Sequence, residues 1–203
     1  MAFSSLQSCP SCGVAISDVS AHTRSTECPH CANWLYLSNN GWTTGGLFEH
    51  ALDAPSMLRL GRSGVFSDRR FVVAGRLRIA YASGFWDEWW LEFDDGTHHW
   101  LEEDDGRYRL HKNREMDTSG ADLSGARVGS NINMGGDRWF VTEKINAQVA
   151  GTEGSLPVAV TPGEQVLCID VIGGGKKLSI EASGNDVTIS QSLVVSGADL
   201  RWD

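Results

Sequence analysis

The 203-residue sequence predicts an all-β chain, in which a small cysteine-rich module precedes a β-sandwich or partly open barrel built from two similar antiparallel meanders. Three observations predict it. The cysteines recur as C-x2-C, fifteen residues, C-x2-C. Between residues 85 and 110, apolar and polar side chains alternate and are punctuated by two Asp-Asp-Gly turns. Short motifs from the first half of the remaining chain also reappear, in order, in the second half.

The cysteines come first in the chain. Cys9-Pro10-Ser11-Cys12-Gly13 and Cys28-Pro29-His30-Cys31 each fold as a knuckle, a tight turn that aims two thiolates at one ion while backbone N–H groups support the sulfurs. Two knuckles make a closed tetrahedral site. Cys9, Cys12, Cys28 and Cys31 are therefore the predicted ligands of a structural Zn2+, in a zinc ribbon spanning residues 1–37. Four thiolates leave no open coordination position for a substrate, and metal binding energy becomes folding energy for a module too small to bury enough surface. Iron suits the same donors, which leaves the metal's identity open. His22 and His30 are expected at the surface, since four thiolates already complete the site. Residues 34–37 read as the ribbon's last strand.

Composition bounds the function classes. With 41% hydrophobic and 21% charged residues, the chain is globular rather than disordered. No apolar run reaches the length of a bilayer span, and the first residues lack the basic and apolar regions of a signal peptide; Leu6-Gln7-Ser8-Cys9 only imitates a lipoprotein cleavage box. Four of five cysteines sit in paired motifs, so the expectation is a cytoplasmic protein, peripheral at the inner membrane only through partners. The net charge of −9 repels polyanions, and within residues 1–50 Arg24 faces Asp18, Glu27 and Glu49, so the ribbon is not expected to bind DNA. Arg59, Arg62, Arg69, Arg70, Arg76 and Arg78 cluster in sequence and carry a further reading, nucleic-acid or anionic-lipid binding, although on strands they alternate between faces.

Residues 38–55 are rich in Asn, Gly and Thr and read as a linker, helix-compatible over 47–52, with Trp42 available to dock it on a neighbour. The main domain is predicted over 56–203, with halves at about 56–115 and 124–203. Within it, Trp89, Leu91 and Phe93 share one strand face, and Glu88, Trp90 and Glu92 the other. Asp94-Asp95-Gly96 and Asp104-Asp105-Gly106 then turn the chain twice, and the acidic stretches Asp94-Asp95 and Glu102 to Asp105 read as solvated turn tips rather than as a Ca2+ loop.

Asp68-Arg69-Arg70-Phe71-Val72 reappears as Asp137-Arg138-Trp139-Phe140-Val141, and Glu88 before an apolar run reappears as Glu153 in Glu153-Gly154-Ser155-Leu156-Pro157. Residues 100–110 match 168–180 in the same way. Residues 111–127 read as a long surface loop, strands at 187–189 and 193–195 close the sheet, and Leu200 and Trp202 tuck against it. Cys168 reads as a small buried hydrophobe.

These residues support two further readings. A non-enzymatic adaptor would dock partners through Trp86, Glu88, Trp90, Trp100 and Glu153, a face mixing indoles with carboxylates, unless those indoles fill a shallow core. An enzyme would use Glu88, Glu153 and one of His98 or His99, which point to opposite faces of a strand. No nucleophile elbow, phosphate loop, HExxH or dinucleotide fingerprint is present, and no catalytic residue is assigned. The adaptor with structural zinc is the leading reading.

Gly61, Phe71-Val72-Val73-Ala74-Gly75, Trp86-Asp87-Glu88-Trp89-Trp90-Leu91, Trp100-Leu101-Glu102-Glu103, Glu143, the stretch from Glu153 to Pro157 and Asp170 together resemble the bacterial domain-of-unknown-function family 4178 over about residues 56–200. The resemblance implies a ribbon-bearing bacterial protein. It also implies association with membrane-stress systems that include phage-shock-like, flotillin-like and polyamine-related proteins. It brings no catalytic residues with it.

Overall fold

The computed structural model describes residues 8–17, 19–48 and 56–203. The regular structure in them is β-strand, apart from one 3-10 turn at Gly197–Asp199. No helix among the described residues is long and apolar enough to cross a membrane.

The cysteine-rich module contains β1 (Ser25–Glu27), β2 (Trp34–Ser38) and β3 (Gly41–Gly46). Residues 41–46, read in the sequence as the start of a linker, pair with β2 instead (Leu35↔Thr44, Leu37↔Trp42). Trp42, Thr43 and Thr44 favour extended backbone, and Ser38 braces the turn by donating its hydroxyl to the Gly41 carbonyl at 2.8 Å. β2 is therefore followed by a further strand of the module. Leu47 and Phe48 are not helical, and the rest of the helix expected over 47–52 lies outside the described residues.

After the module, β4 (Ser63–Phe66) and β5 (Arg69–Tyr81) form a hairpin that feeds β6 (Gly84–Phe93), β7 (His98–Asp104) and β8 (Arg107–Asn113). The second half repeats the plan. β9 (Asn131–Met134) and β10 (Asp137–Leu156) form a hairpin that feeds β11 (Gln165–Gly173), β12 (Lys176–Ser183) and β13 (Asp186–Val195); β14 (Leu200–Trp202) then pairs with β4. The first strands of the two meanders pair (Ile79↔Val149 in β5 and β10), and so do the last (Leu110↔Leu193 in β8 and β13). Strands β5-β6-β7-β8-β13-β12-β11-β10 thus close into an eight-stranded barrel, resolving the choice between sandwich and open barrel in favour of closure. Closure pairs every edge of the eight-strand ring.

β5 must change partners midway, pairing with β4 over Arg69 to Val72 and with β10 from Gly75 on. The two backbones come very close at the changeover. A Cβ on Gly75 would stand 2.2 Å from the Ser155 carbonyl oxygen, and one on Gly154, at φ 70°, 2.4 Å from that of Ala74. Only glycine fits there.

The repeat is real, but its register differs from the sequence match. The hairpin turns pair Phe66 with Arg69 and Met134 with Asp137, so Phe71 is equivalent to Trp139 and Val73 to Val141, all four buried. Matching Asp68 to Asp137 by identity slips one residue, which exchanges the faces of the strand. The match of 100–110 to 168–180 is one hairpin out, because closure equates β8 with β13 rather than with β12.

Each meander has a core on its outer face. In the first, Phe71, Val73, Trp89, Leu91, Phe93, Leu101 and Leu110 lie under Leu58, Leu200, Phe66 and Trp202. In the second, Trp139, Val141, Ile169, Val171, Leu178 and Ile180 lie under Ile132 and Met134 of β9 and under Met116, Leu123 and Ala126. The stretch expected as a polar surface loop is thus a cover, held by apolar residues spaced through its Gly/Ser background. Full burial of each large side chain here stabilises by about 1.5–3 kcal/mol.

Candidate functional site

The two knuckles share one construction. In the first, the Cys9 N–H donates to the Val14 carbonyl (2.8 Å) and the Gly13 N–H to the Cys9 carbonyl (2.8 Å); in the second, the Cys28 N–H donates to Asn33 (2.9 Å) and the Ala32 N–H to Cys28 (3.0 Å). Gly13 and Ala32 hold the same place in each turn, both at positive φ. The four sulfurs lie within 4.8 Å of one another, with Cys9–Cys31 and Cys12–Cys28 both at 3.7 Å. A tetrahedral ion with metal–sulfur bonds of about 2.3 Å spaces its sulfurs about 3.8 Å apart, so the donor set fits a metal ion. The cluster is consistent with a zinc ribbon. Asn33 adds outer support, its Nδ2 donating to Cys31 Sγ at 3.4 Å. His22 and His30 are exposed and outside the sulfur cluster.

A second site lies inside the barrel. Strand alternation turns Leu77 and Ile79 of β5, Trp86, Glu88 and Trp90 of β6, Trp100 and Glu102 of β7, His111 of β8, Ser190 of β13, Glu181 of β12 and Cys168 of β11 to the face opposite the two outer cores. A cavity of about 490 Å3 takes its lining from all eight barrel strands, Glu88, His111, Glu181 and Ser190 among them. A smaller cavity of about 290 Å3 is lined by Trp86, Glu102, Arg109, Asp170 and Lys177. His111, Cys168 and Glu181 line both cavities.

The interior polar groups are linked. Glu102 receives Arg109 on Oε1 and meets His111 Nε2 through Oε2 at 2.9 Å, while His111 Nδ1 lies 2.8 Å from Ser190 Oγ. Trp86 Nε1 donates to Glu88 Oε1 at 3.0 Å. Burial works against the charge of Glu102, but its contacts with His111 and Arg109 prevail and hold its pKa below the usual value. Glu88 goes the other way, pushed up to about 8 by burial and then by the negative charge of Glu181. Burial, followed by Glu102 and Asp170, pushes Glu181 up to about 7. The Cys168 thiol is raised by burial and the surrounding carboxylates. Near neutral pH the interior therefore holds one firmly anionic carboxylate beside a carboxyl group that keeps its proton.

The profile of a domain of unknown function, DUF4178, matches residues 59–197. The chain belongs to this family. No curated protein and no solved structure matches it. The matched segment contains the whole eight-stranded barrel, and the cysteine cluster precedes it.

Within the DUF4178 barrel, the residues singled out in the sequence separate. Trp86, Trp90 and Trp100 are half-buried on the interior face, packed with Leu77, Ile79 and Val149. Glu88 is buried there and stands directly opposite Glu102 in the β6–β7 register. Glu153 does not join it. Glu153 pairs with Arg76 in register while Glu88 pairs with the next residue, Leu77, so the two carboxylates face opposite sides of the sheet; Glu153 Oε2 lies 3.7 Å from Arg76. His98 stacks on Trp90 at 5.5 Å and also meets His22 of the cysteine module at 4.2 Å, whereas His99 packs edge-on to Phe93 of the outer core.

Sequence reading took Glu102 for a solvated turn tip and missed its line through His111 to Ser190, as well as Glu181. The period of two carried the signal, since Glu102 and His111 share the face of Trp100 and Glu88. The closure that brings β13 and β12 alongside was not readable from it.

Several of the clustered arginines of the DUF4178 domain are matched internally. Arg76 and Arg78 both hold the buried Asp87, at 2.7 and 2.8 Å. Arg69 pairs with Asp95 at 3.0 Å and Arg70 with Asp203 at 2.8 Å. These pairings weaken the case for a phosphate-binding stripe.

Proposed function

We propose that the DUF4178 barrel of this chain is a small-molecule-binding module, and that the cysteine cluster is a structural zinc site at its flank. The observation that supports this reading is the 490 Å3 cavity, which has an apolar wall of Leu77, Ile79, Val149 and Val166 and a polar wall of Glu88, His111, Glu181 and Ser190. Concave sites of this size and mixed lining are the usual form of ligand pockets. The neutral amphipathic fluorophore N-phenyl-1-naphthylamine tests it. One saturable site that disappears in Val149→Trp, which fills the cavity, is the expected result; absence of binding, or binding indifferent to Val149→Trp, would sink the reading. Elemental analysis should find about one zinc per chain, and iron in its place would overturn the zinc assignment.

A cytoplasmic adaptor in a bacterial membrane-stress-linked assembly is the second reading. Phe140 and Ile172, register partners on β10 and β11, are 41% and 45% exposed, an apolar pair open to solvent. Trp86, Trp90 and Trp100, half-buried on the interior face, are less available for docking than the sequence suggested. A partner bound by the wild type and lost in Phe140→Asp/Ile172→Asp supports this reading, and a partner unaffected by that variant removes this surface from it.

A further inference from the structure

The line from Glu102 through His111 to Ser190 crosses three strands inside the barrel. Glu102 is anionic and anchored by Arg109, so it accepts the hydrogen of His111 Nε2. A neutral imidazole with Nε2 protonated has only a lone pair on Nδ1. In that neutral form the hydrogen between His111 Nδ1 and Ser190 Oγ comes from the serine, whose proton then points at a base. Ser190 and His111 are 5% and 8% exposed, yet both line the larger cavity, so this bond faces ligand space rather than bulk water. A hydroxyl, an imidazole and a carboxylate in successive contact form the arrangement that activates serine in acyl-transfer enzymes; here the two ring nitrogens exchange their usual partners.

We infer that Ser190 is a nucleophile toward a small ester bound in the larger cavity, with His111 as its general base and Glu102 as the positioning residue. The inference rests on the ligand-binding reading for substrate access. Ser190 Oγ bonds to the acyl carbon as its proton passes to His111 Nδ1 and the carbonyl electron pair moves to oxygen. When the carbonyl re-forms, the bond to the alcohol oxygen breaks and His111 returns the proton to that leaving group. A water molecule then repeats the attack with His111 as base, releasing the acid and restoring the serine. Glu88 and Glu181 line the same cavity, and a carboxyl that keeps its proton donates a hydrogen bond of the kind that steadies a developing oxyanion. Leu77, Ile79 and Val149 suit an apolar acyl group.

The test uses the 203-residue, metal-loaded chain with diethyl p-nitrophenyl phosphate as a covalent probe and p-nitrophenyl butyrate as a substrate. The expected result is one phosphoryl adduct per chain, located on Ser190 by tandem mass spectrometry. Butyrate hydrolysis should be lost in Ser190→Ala and reduced at least a hundredfold in His111→Gln. Glu102→Ala should slow labelling and Glu102→Asp restore part of the rate, a rescue that a purely structural role would not produce. N-phenyl-1-naphthylamine binding by Ser190→Ala confirms that this variant keeps its cavity. If the wild type binds the fluorophore but carries no adduct on Ser190, the nucleophile assignment falls and the ligand-binding reading stands. If it does neither, both fall.

Discussion

The indole N–H of Trp34 donates to the carbonyl of Val160 at 3.0 Å, tying the cysteine module to the wall of the larger cavity. Two neighbouring bonds reinforce the tie. The Ser25 hydroxyl donates to the Val158 carbonyl at 2.6 Å, and the Arg24 N–H to the Leu156 carbonyl at 2.7 Å. Val158 and Val160 both line the cavity, and β1 continues the sheet from β10. The module that carries the proposed metal site thus holds one side of the proposed ligand site.

The first prediction follows from that tie. Cys28→Ser should release about one metal ion per chain and weaken N-phenyl-1-naphthylamine binding severalfold, while the far-UV β signal of the barrel persists. Elemental analysis and a fluorescence titration check it. An unchanged affinity after metal loss would show that the cavity wall stands without the ribbon.

A second prediction concerns pH. The Glu88 pKa is raised in the folded state, so between about 4.5, the unfolded value, and about 8, the folded chain binds a proton that the unfolded chain has lost. The unfolded state binds fewer protons there, and stability falls as pH rises across the window. The contribution is fully present below the unfolded value and is lost as pH passes the folded one; Glu181, raised to about 7, acts in the same direction. Glu88→Gln, which is neutral throughout, should flatten the decline and be more stable than the wild type at pH 9 by on the order of 1–2 kcal/mol. Urea unfolding at pH 6 and pH 9 reads this directly, and parallel slopes in the two proteins would refute it.

What could be read beforehand was what local spacing encodes. The cysteine knuckles need only residues adjacent in the chain, and the β6–β7–β8 meander needs only alternation and Asp-Gly turns, so both were legible. The two-halves plan was visible through Phe71 and Trp139, although matching identical letters rather than turn positions slipped the register by one. The interior site was not legible. Ser190 and Glu181 reach Glu102 only because β13 pairs with β8, a contact between residues about eighty positions apart that no local pattern announces. Glu153 misled for a related reason, since a carboxylate's usefulness depends on which face of the strand it takes.

The third prediction concerns the two arginines buried around Asp87. Asp87 is 3% exposed and accepts Arg76 on Oδ2 and Arg78, through two nitrogens, on both carboxylate oxygens. Removing a shared buried carboxylate costs far more than the pair contributes over an apolar substitute, because the remaining charges stay desolvated. Asp87→Ala should destabilise the domain by about 3–5 kcal/mol, and Asp87→Asn by less, since the amide oxygen still accepts hydrogen bonds. Denaturant melts of both variants check the ranking, and an Asp87→Ala loss below about 1 kcal/mol would show the cluster to be solvated.

The last prediction tests barrel closure itself. Gly75 and Gly154 face each other in the β5–β10 register at the place where β5 exchanges β4 for β10. The atom that a new Cβ at Gly75 would meet first is a backbone oxygen, Ser155 at 2.2 Å, with the Leu156 side chain at 2.6 Å behind it. Neither can swing aside as an exposed side chain would, because β10 is held at this point by β5 on one edge and by β1 on the other. Gly75→Ala must therefore pry the seam apart, separating the first strands of the two meanders while leaving the cysteine cluster untouched. The expected outcome is a loss of more than about 3 kcal/mol, within the range of severe backbone clashes. Metal content should stay at wild-type level, and amide exchange should accelerate along β5 and β10 before it does along the β8–β13 seam. Uniform acceleration across the barrel would mean that the seam opens only with global unfolding, and near-wild-type stability would mean that the two backbones do not meet as closely as they stand here.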